Sequence, residues 1–140
     1  MRDGELGVGN VRVLVVEDDP NNRIVISRLL RLAGVGEDRY FEIDGDAAAF
    51  LRERGTDIDL VFLDLQLPRK DGYKILAELR ADERTAGLVV VALTANVMRQ
   101  DIERCRQAGF DGFIGKPIDG RRFAEMLQKI LRGESVWTIV

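Results

Sequence analysis

The sequence predicts an α/β fold: a doubly wound, five-stranded parallel sheet in the order 2-1-3-4-5, covered by helices on both faces as a three-layer sandwich. Three observations carry this expectation. A short apolar run followed by an amphipathic helix recurs five times along the 140 residues, and alternating βα units fold into parallel sheets covered by helices. The first run, Val11 to Val16, is nearly all apolar, as for a strand buried on both faces. No linker, low-complexity stretch or second pattern interrupts the series, and the length suits one domain.

The elements follow in order. After Val11–Val16, Asp19-Pro20 reads as an N-cap with proline at the first helical position. The first helix presents Val25, Leu29, Leu32 and Ala33 at 3-4 spacing and stops near Gly34. Tyr40 to Ile43 is a weak second strand, and Asp44 is the expected cap of a helix through Ala47 to Leu51, ended by Gly55. Ile58 to Leu63 is the third strand, and Gln66 to Gly72 a loop containing Pro68. A helix with Ile75, Leu76 and Leu79 comes next. Leu88 to Leu93 is the strongest strand, and a polar helix from about Val97 to Ala108 stops at Gly109. Phe113-Ile114 is a short fifth strand. Asp119 caps a last helix with Phe123, Met126, Leu127, Ile130 and Leu131 on one face. The division is an N-terminal extension (1–10), a domain (11–132) and a C-terminal tail (133–140) with no assigned role.

Composition excludes several function classes. There is no histidine, so no Ser-His-Asp triad, no Cys-His pair and no histidine zinc ligand. The single cysteine, Cys105, cannot close an internal disulfide and reads as a small residue packed on a helix face. A formal net charge of -3 argues against nonspecific nucleic-acid binding. No apolar run approaches the ~18 residues of a membrane span, and Met1 to Asn10 lacks the core of a signal peptide. A cytoplasmic protein is expected.

The polar residues that matter stand where four strands end. The first strand runs into Glu17-Asp18-Asp19, the third into Asp64, the fourth into Thr94, and the fifth leads to Lys116-Pro117. In a parallel sheet these carboxyl ends share one edge, where such folds bind ligands. Clustered carboxylates repel one another and are stabilised by a hard divalent cation such as Mg²⁺. A carboxylate can act as a nucleophile toward phosphorus. An ammonium can neutralise phosphoryl oxygens and a hydroxyl can donate to one. Singly these residues are weak signals: Asp19, Asp71 and Asp119 read as caps or turn residues, and threonine ends many strands. Their co-occurrence at successive strand ends makes the pattern specific.

Taken together these motifs resemble the receiver domains of two-component response regulators. The resemblance rests on Val13-Leu-Val-Val-Glu-Asp-Asp-Pro, on Phe62-Leu-Asp-Leu-Gln-Leu-Pro with Asp71-Gly72, on Ala92-Leu-Thr-Ala, and on Gly112-Phe-Ile-Gly-Lys-Pro-Ile. It spans about residues 11 to 132 and implies a flavodoxin-like fold. It further implies that Asp64 accepts a phosphoryl group and that Asp18 ligates Mg²⁺, with Glu17 acting through water. The backbone carbonyl of Gln66 is the implied third protein ligand. Thr94 and Lys116 are the implied partners of the phosphoryl oxygens, Phe113 the aromatic switch residue, and Lys116-Pro117 a cis bond. Phe113 stands where many members carry tyrosine, so no hydroxyl is present there. The implied donor is a phosphohistidine on a histidine kinase or histidine phosphotransferase, and the implied reader a downstream protein that the sequence does not identify.

On this reading the chain is a signalling switch and not a turnover enzyme, responding through the surface of the fourth helix, fifth strand and fifth helix. The nine residues after Leu131 are too few for a helix-turn-helix, and the expectation is a stand-alone receiver. Two other readings share the acidic pocket. A Mg²⁺-dependent aspartyl phosphatase would place its nucleophile after the first strand in an Asp-x-Asp pattern, unlike Asp64. A phosphorylation-independent interaction module would be marked by an incomplete pocket. Arg99, Asp101, Glu103, Arg104 and Arg106 form a solvated face or a symmetric pairing surface for a homodimer.

Overall fold

The computed structural model of the protein describes residues 6–54, 57–68 and 70–138. The first strand, β1 (Val13–Val16), leads into α1 (Pro20–Ala33). The remaining units are β2 (Tyr40–Ile43) and α2 (Ala47–Arg54), β3 (Leu60–Asp64) and α3 (Gly72–Ala81), β4 (Val89–Thr94) and α4 (Arg99–Ala108), and β5 (Gly112–Gly115) and α5 (Gly120–Leu131). A two-residue strand, β6 (Trp137–Thr138), follows α5. The sheet is parallel throughout, in the order β2-β1-β3-β4-β5-β6. The expected 2-1-3-4-5 arrangement is therefore present, and the tail adds a sixth strand that the sequence did not announce.

Alternation along the strands divides the core into two layers. Val13, Val15, Leu60, Phe62, Val91, Leu93 and Ile114 face α1 and α5, where they meet Ile26, Leu30, Phe123 and Leu127. Leu14, Val16, Val61, Leu63, Val90, Ala92 and Phe113 face the other helices, meeting Leu51 of α2, Ile75 and Leu79 of α3 and Cys105 of α4. Cys105 is fully buried and unpaired with another cysteine, as its reading required. The expected faces of α3 and α5 also hold, with Ile75, Leu76, Leu79, Phe123, Met126, Leu127 and Ile130 all buried.

Four expectations need correction. In α1 the buried residues are Ile26 and Leu30, whereas Val25 is 47% and Leu32 77% exposed. The helix is rotated from the expected phase because its apolar residues form two overlapping stripes and packing against α5 selects one. The cap of α2 is Asp46 rather than Asp44: its carboxylate accepts the Ala49 N–H at 3.0 Å. Its expected stop, Gly55, lies outside the described residues. The fourth helix begins at Arg99, not Val97, because the Asp101 carboxylate accepts the Met98 N–H at 3.1 Å and fixes Met98 as the cap. Residues 11 and 12 precede β1 instead of opening it. The Val11 N–H donates to Gly7 O at 2.9 Å and the Arg12 N–H to the Asp59 carboxylate at 2.9 Å. The Arg12 carbonyl already accepts the Asp59 and Leu60 N–H groups at 2.9 and 3.2 Å, so the chain meets β3 there, before regular pairing starts at Val13.

Asp19, Asp71 and Asp119 are N-caps, accepting from Asn21, Tyr73 and Arg121 at 2.8, 2.9 and 3.0 Å. These caps orient α1, α3 and α5 so that each leaves the carboxyl edge of the sheet. That edge is the floor of the site.

Candidate functional site

The carboxyl ends of β1, β3, β4 and β5 bring the expected residues to one place. Carboxylate oxygens of Glu17, Asp18 and Asp64 lie within 4.8 Å of one another. Glu17 and Asp64 are buried, and Asp18 is partly exposed at the rim. Lys116, carried just past β5, reaches back over the sheet: its Nζ donates to Glu17 Oε1 and to Asp64 Oδ2, each at 3.0 Å. The other oxygen of Asp64 accepts the Gln66 N–H at 2.9 Å. Asp64 is thus fixed at both oxygens by groups from two different strand ends.

Charge is unbalanced here, with three carboxylates facing one ammonium. Burial pushes Glu17 up to about 7, and the hydrogen bond and charge of Asp64 push the same way against Lys116. Burial also pushes Asp64 upward, but hydrogen bonds from Glu17, the Gln66 N–H and Lys116 outweigh it and hold Asp64 below the ordinary carboxylate range. Lys116 is likewise desolvated, yet its two carboxylate partners hold its proton above the usual lysine range. The surroundings therefore favour the ionised form at Asp64 and the protonated form at Glu17. A donor set of clustered carboxylate oxygens, one at the rim, has the hard-ligand chemistry of a Mg²⁺ site.

Thr94 ends β4 and is buried, with its hydroxyl accepting the Asn96 N–H at 3.0 Å. It borders an open cleft of about 420 Å³ whose lining includes Gln66, Leu67, Asp71, Tyr73 and Arg104. Phe113 is completely buried in β5, beside Ala92 of β4 in the strand register. The Lys116 N–H donates to Thr94 O at 2.8 Å, so β4 and β5 remain tied beyond their last paired residues. The Lys116-Pro117 bond is cis, as expected.

Two supporting roles escaped the sequence reading, that of Arg23 and that of Gly72, which entered only as the end of a loop and in the Asp71-Gly72 motif. Arg23, one turn into α1, donates to Glu17 O at 3.0 Å and pairs with Glu42 at 3.8 Å, so it anchors the backbone of the acidic loop. Its position four residues after the Asp19 cap is a signal that could have marked it. Gly72 opens α3 directly against the site: a Cβ there would stand 2.8 Å from Asp64 O and 2.9 Å from Leu65 Cα. Both neighbours are backbone, so they cannot give way as a flexible side chain would. Gly72→Ala is expected to displace the Asp64 loop and to destabilise the fold by about 1–3 kcal/mol, the usual cost of overpacking. Thermal unfolding checks the second effect, and the rate of phosphoryl uptake the first. An alanine variant matching wild type in both would mean that the two backbones are not pressed together.

Comparison with known proteins agrees with this arrangement. The pattern described as "Response regulator receiver domain" matches residues 13–128. The chain is 34% identical over 121 residues to chemotaxis protein CheY-3 of Vibrio cholerae, covering 86% of this chain and 92% of that one. It is 34% identical to the polar-differentiation response regulator DivK of Brucella ovis, covering 85% and 94%. Other relatives are far longer: it spans only 7% of hybrid signal transduction histidine kinase L of Dictyostelium discoideum, at 33% identity over 84% of this chain. Among solved structures it superposes on the receiver domain of a Pseudomonas aeruginosa sensor histidine kinase with a TM-score of 0.67 and 35% identity, covering 89% of this chain and 96% of that one. That structure has a magnesium ion coordinated in its active site cleft. Together with a sheet edge that gathers Glu17, Asp18, Asp64 and Lys116, these matches make the chain a member of the response regulator receiver domain family.

Proposed function

We propose that the protein is a phosphoacceptor switch in which Asp64 takes a phosphoryl group from a phosphohistidine on a histidine kinase or histidine phosphotransferase. The observation that carries this reading is the fixing of both Asp64 oxygens, one by Lys116 and the other by the Gln66 N–H. An Asp64 oxygen attacks phosphorus, the P–N bond breaks, and the imidazole leaves with its electron pair and takes a proton from solvent. The product on this chain is an acyl phosphate at Asp64. Mg²⁺, when bound, neutralises charge on the transferring oxygens. Asp18, Asp64 and the Gln66 carbonyl would hold it, with Glu17 acting through water. Lys116 pairs with a phosphoryl oxygen, and the Thr94 hydroxyl exchanges its Asn96 contact for another. Catalysis here is positioning and charge neutralisation.

Two conformers in equilibrium account for signalling. Phosphorylation draws Thr94 toward the phosphoryl group, and Phe113 is held inward in the space beside it. The surface of α4, β5 and α5 changes, and a downstream protein reads it. Phosphorylation shifts the balance only by its differential interaction with the two conformers. We place the protein in the cytoplasm, where its donor proteins act. Among the described residues no helix is long and apolar enough to cross a membrane.

Intact mass after incubation with acetyl phosphate tests the reading. One phosphoryl adduct is expected with Mg²⁺ and none with EDTA. Asp18→Ala is expected to raise the Mg²⁺ concentration needed for half-maximal uptake by about tenfold or more, the usual scale for a lost contact to a metal site. A folded protein that gains no adduct in Mg²⁺ would favour the phosphorylation-independent module instead. An unchanged Mg²⁺ midpoint would remove Asp18 from the site.

A further inference from the structure

We infer that the tail strand β6 is a switchable cover on the outer edge of β5, docked more fully when Asp64 is phosphorylated; this rests on the phosphoacceptor reading of Asp64. After α5 the chain turns at Gly133, whose N–H donates to Ile130 O at 3.0 Å, while Glu134 N–H donates to Lys129 O at 3.0 Å. It then runs back along β5. The Phe113 N–H donates to Val136 O at 2.7 Å, and Trp137 lies in register with Phe113. Without this bond, β5 would present an unpaired sheet edge.

The tail is seated on both layers of the core. Val136 is 7% exposed and packs with the cluster under α1 and α5. Trp137 is half-buried against the opposite cluster, which contains Phe113 and Cys105, and the Arg106 guanidinium of α4 stands 4.7 Å over its ring. Gly112 shows how closely the strand is laid down: a Cβ there would stand 2.8 Å from Val136 O. A two-residue strand held by so few bonds belongs to the low-stability end of a fold and opens locally.

Its neighbour is the switch residue. The arrangement that carries β6 is the one in which Phe113 is fully buried. The residue whose N–H holds Val136 O is thus the one whose ring lies beside Thr94's strand, and on this proposal phosphorylation of Asp64 favours the docked tail. The edge is free for other contacts only when the tail is off.

Trp137 is the single tryptophan, so it reports on its own strand. Acrylamide quenching is read before and after acetyl phosphate in Mg²⁺, with the adduct followed by intact mass. The quenching constant is expected to fall about twofold on phosphorylation, as a docked population rises, and to stay constant in Asp64→Asn. Gly112→Ala is expected to show high quenching throughout while still forming the adduct. As an independent measure, a chain ending at Gly133 is expected to exchange the Phe113 amide proton about tenfold faster or more. An adduct with no change in Trp137 quenching would overturn the cover and leave the phosphoacceptor reading standing. Absence of any adduct would overturn both. Protection of Trp137 that rises with protein concentration would mean that the edge is covered by a second copy, which would also overturn the cover.

Discussion

Asp64→Asn is expected to abolish phosphoryl uptake completely while leaving the protein folded. Asparagine keeps the shape of the side chain and an oxygen able to accept the Gln66 N–H, but it has no anionic oxygen to attack phosphorus. Its effect on stability is small because two terms oppose. One charge-assisted bond from Lys116, now 3.0 Å, is weakened, and the repulsion between Asp64 and Glu17 disappears. A hydrogen bond to a charged group contributes about 1.5–3 kcal/mol net, and relief of like charge is of similar size. Glu17 then inherits Lys116 as its own counter-ion. The melting temperature is expected to stay within about 5 °C of wild type. Intact mass with acetyl phosphate and Mg²⁺ gives the first result, and a thermal scan the second. Phosphate uptake that survives in Asp64→Asn would move the acceptor to another carboxylate. A collapse in stability would show that Asp64 holds the edge of the sheet together and is more than a nucleophile.

The acidic site was legible in the sequence because it follows from connectivity alone. Once the runs ending at Val16, Leu63 and Leu93 are read as parallel strands, Glu17, Asp18, Asp64 and Thr94 must share an edge, and Lys116 follows the fifth run. Strands β1, β3, β4 and β5 were legible because a strand buried on both faces has no polar face to confuse its reading. Helix α1 was not, since Ile24, Val25 and Leu32 make one apolar stripe and Ile26, Leu29, Leu30 and Ala33 another. Periodicity offers both, and only the packed neighbour chooses. Asp44 and Asp46 are equally good caps by type, and a two-residue offset is decided by backbone course. The close approach at Gly72 and the strand β6 were invisible for a related reason. Each depends on two backbones, distant along the chain, approaching within van der Waals contact. Nothing in the residues Trp137 and Thr138 themselves says which edge they will join.

The layer beneath the site sets the largest stability effect. Phe62 lies at the centre of β3, 1% exposed, with β1 and β4 on either side. Its ring meets Phe123 of α5 with centroids 5.9 Å apart and planes tilted by 41°. Phe62→Ala removes that ring from a closed layer, so it loses both the transfer of the ring from water and the contacts around the cavity left behind. The expected cost is about 3–5 kcal/mol, against a total stability of about 5–15 kcal/mol for a domain. That corresponds to a drop in melting temperature of about 10–20 °C. The denaturant midpoint should fall with an unchanged slope, because the surface exposed on unfolding is nearly the same. Phe62→Leu, which fills most of the space, should recover more than half of the loss. At low temperature, where the variant remains folded, phosphoryl uptake should persist. Asp64 is held by Lys116 and the Gln66 N–H and not by the ring. A loss of uptake at temperatures where the fold is intact would instead mean that the packing of β3 against α5 positions the acceptor. The site would then begin two residues deeper in the strand than its polar groups suggest.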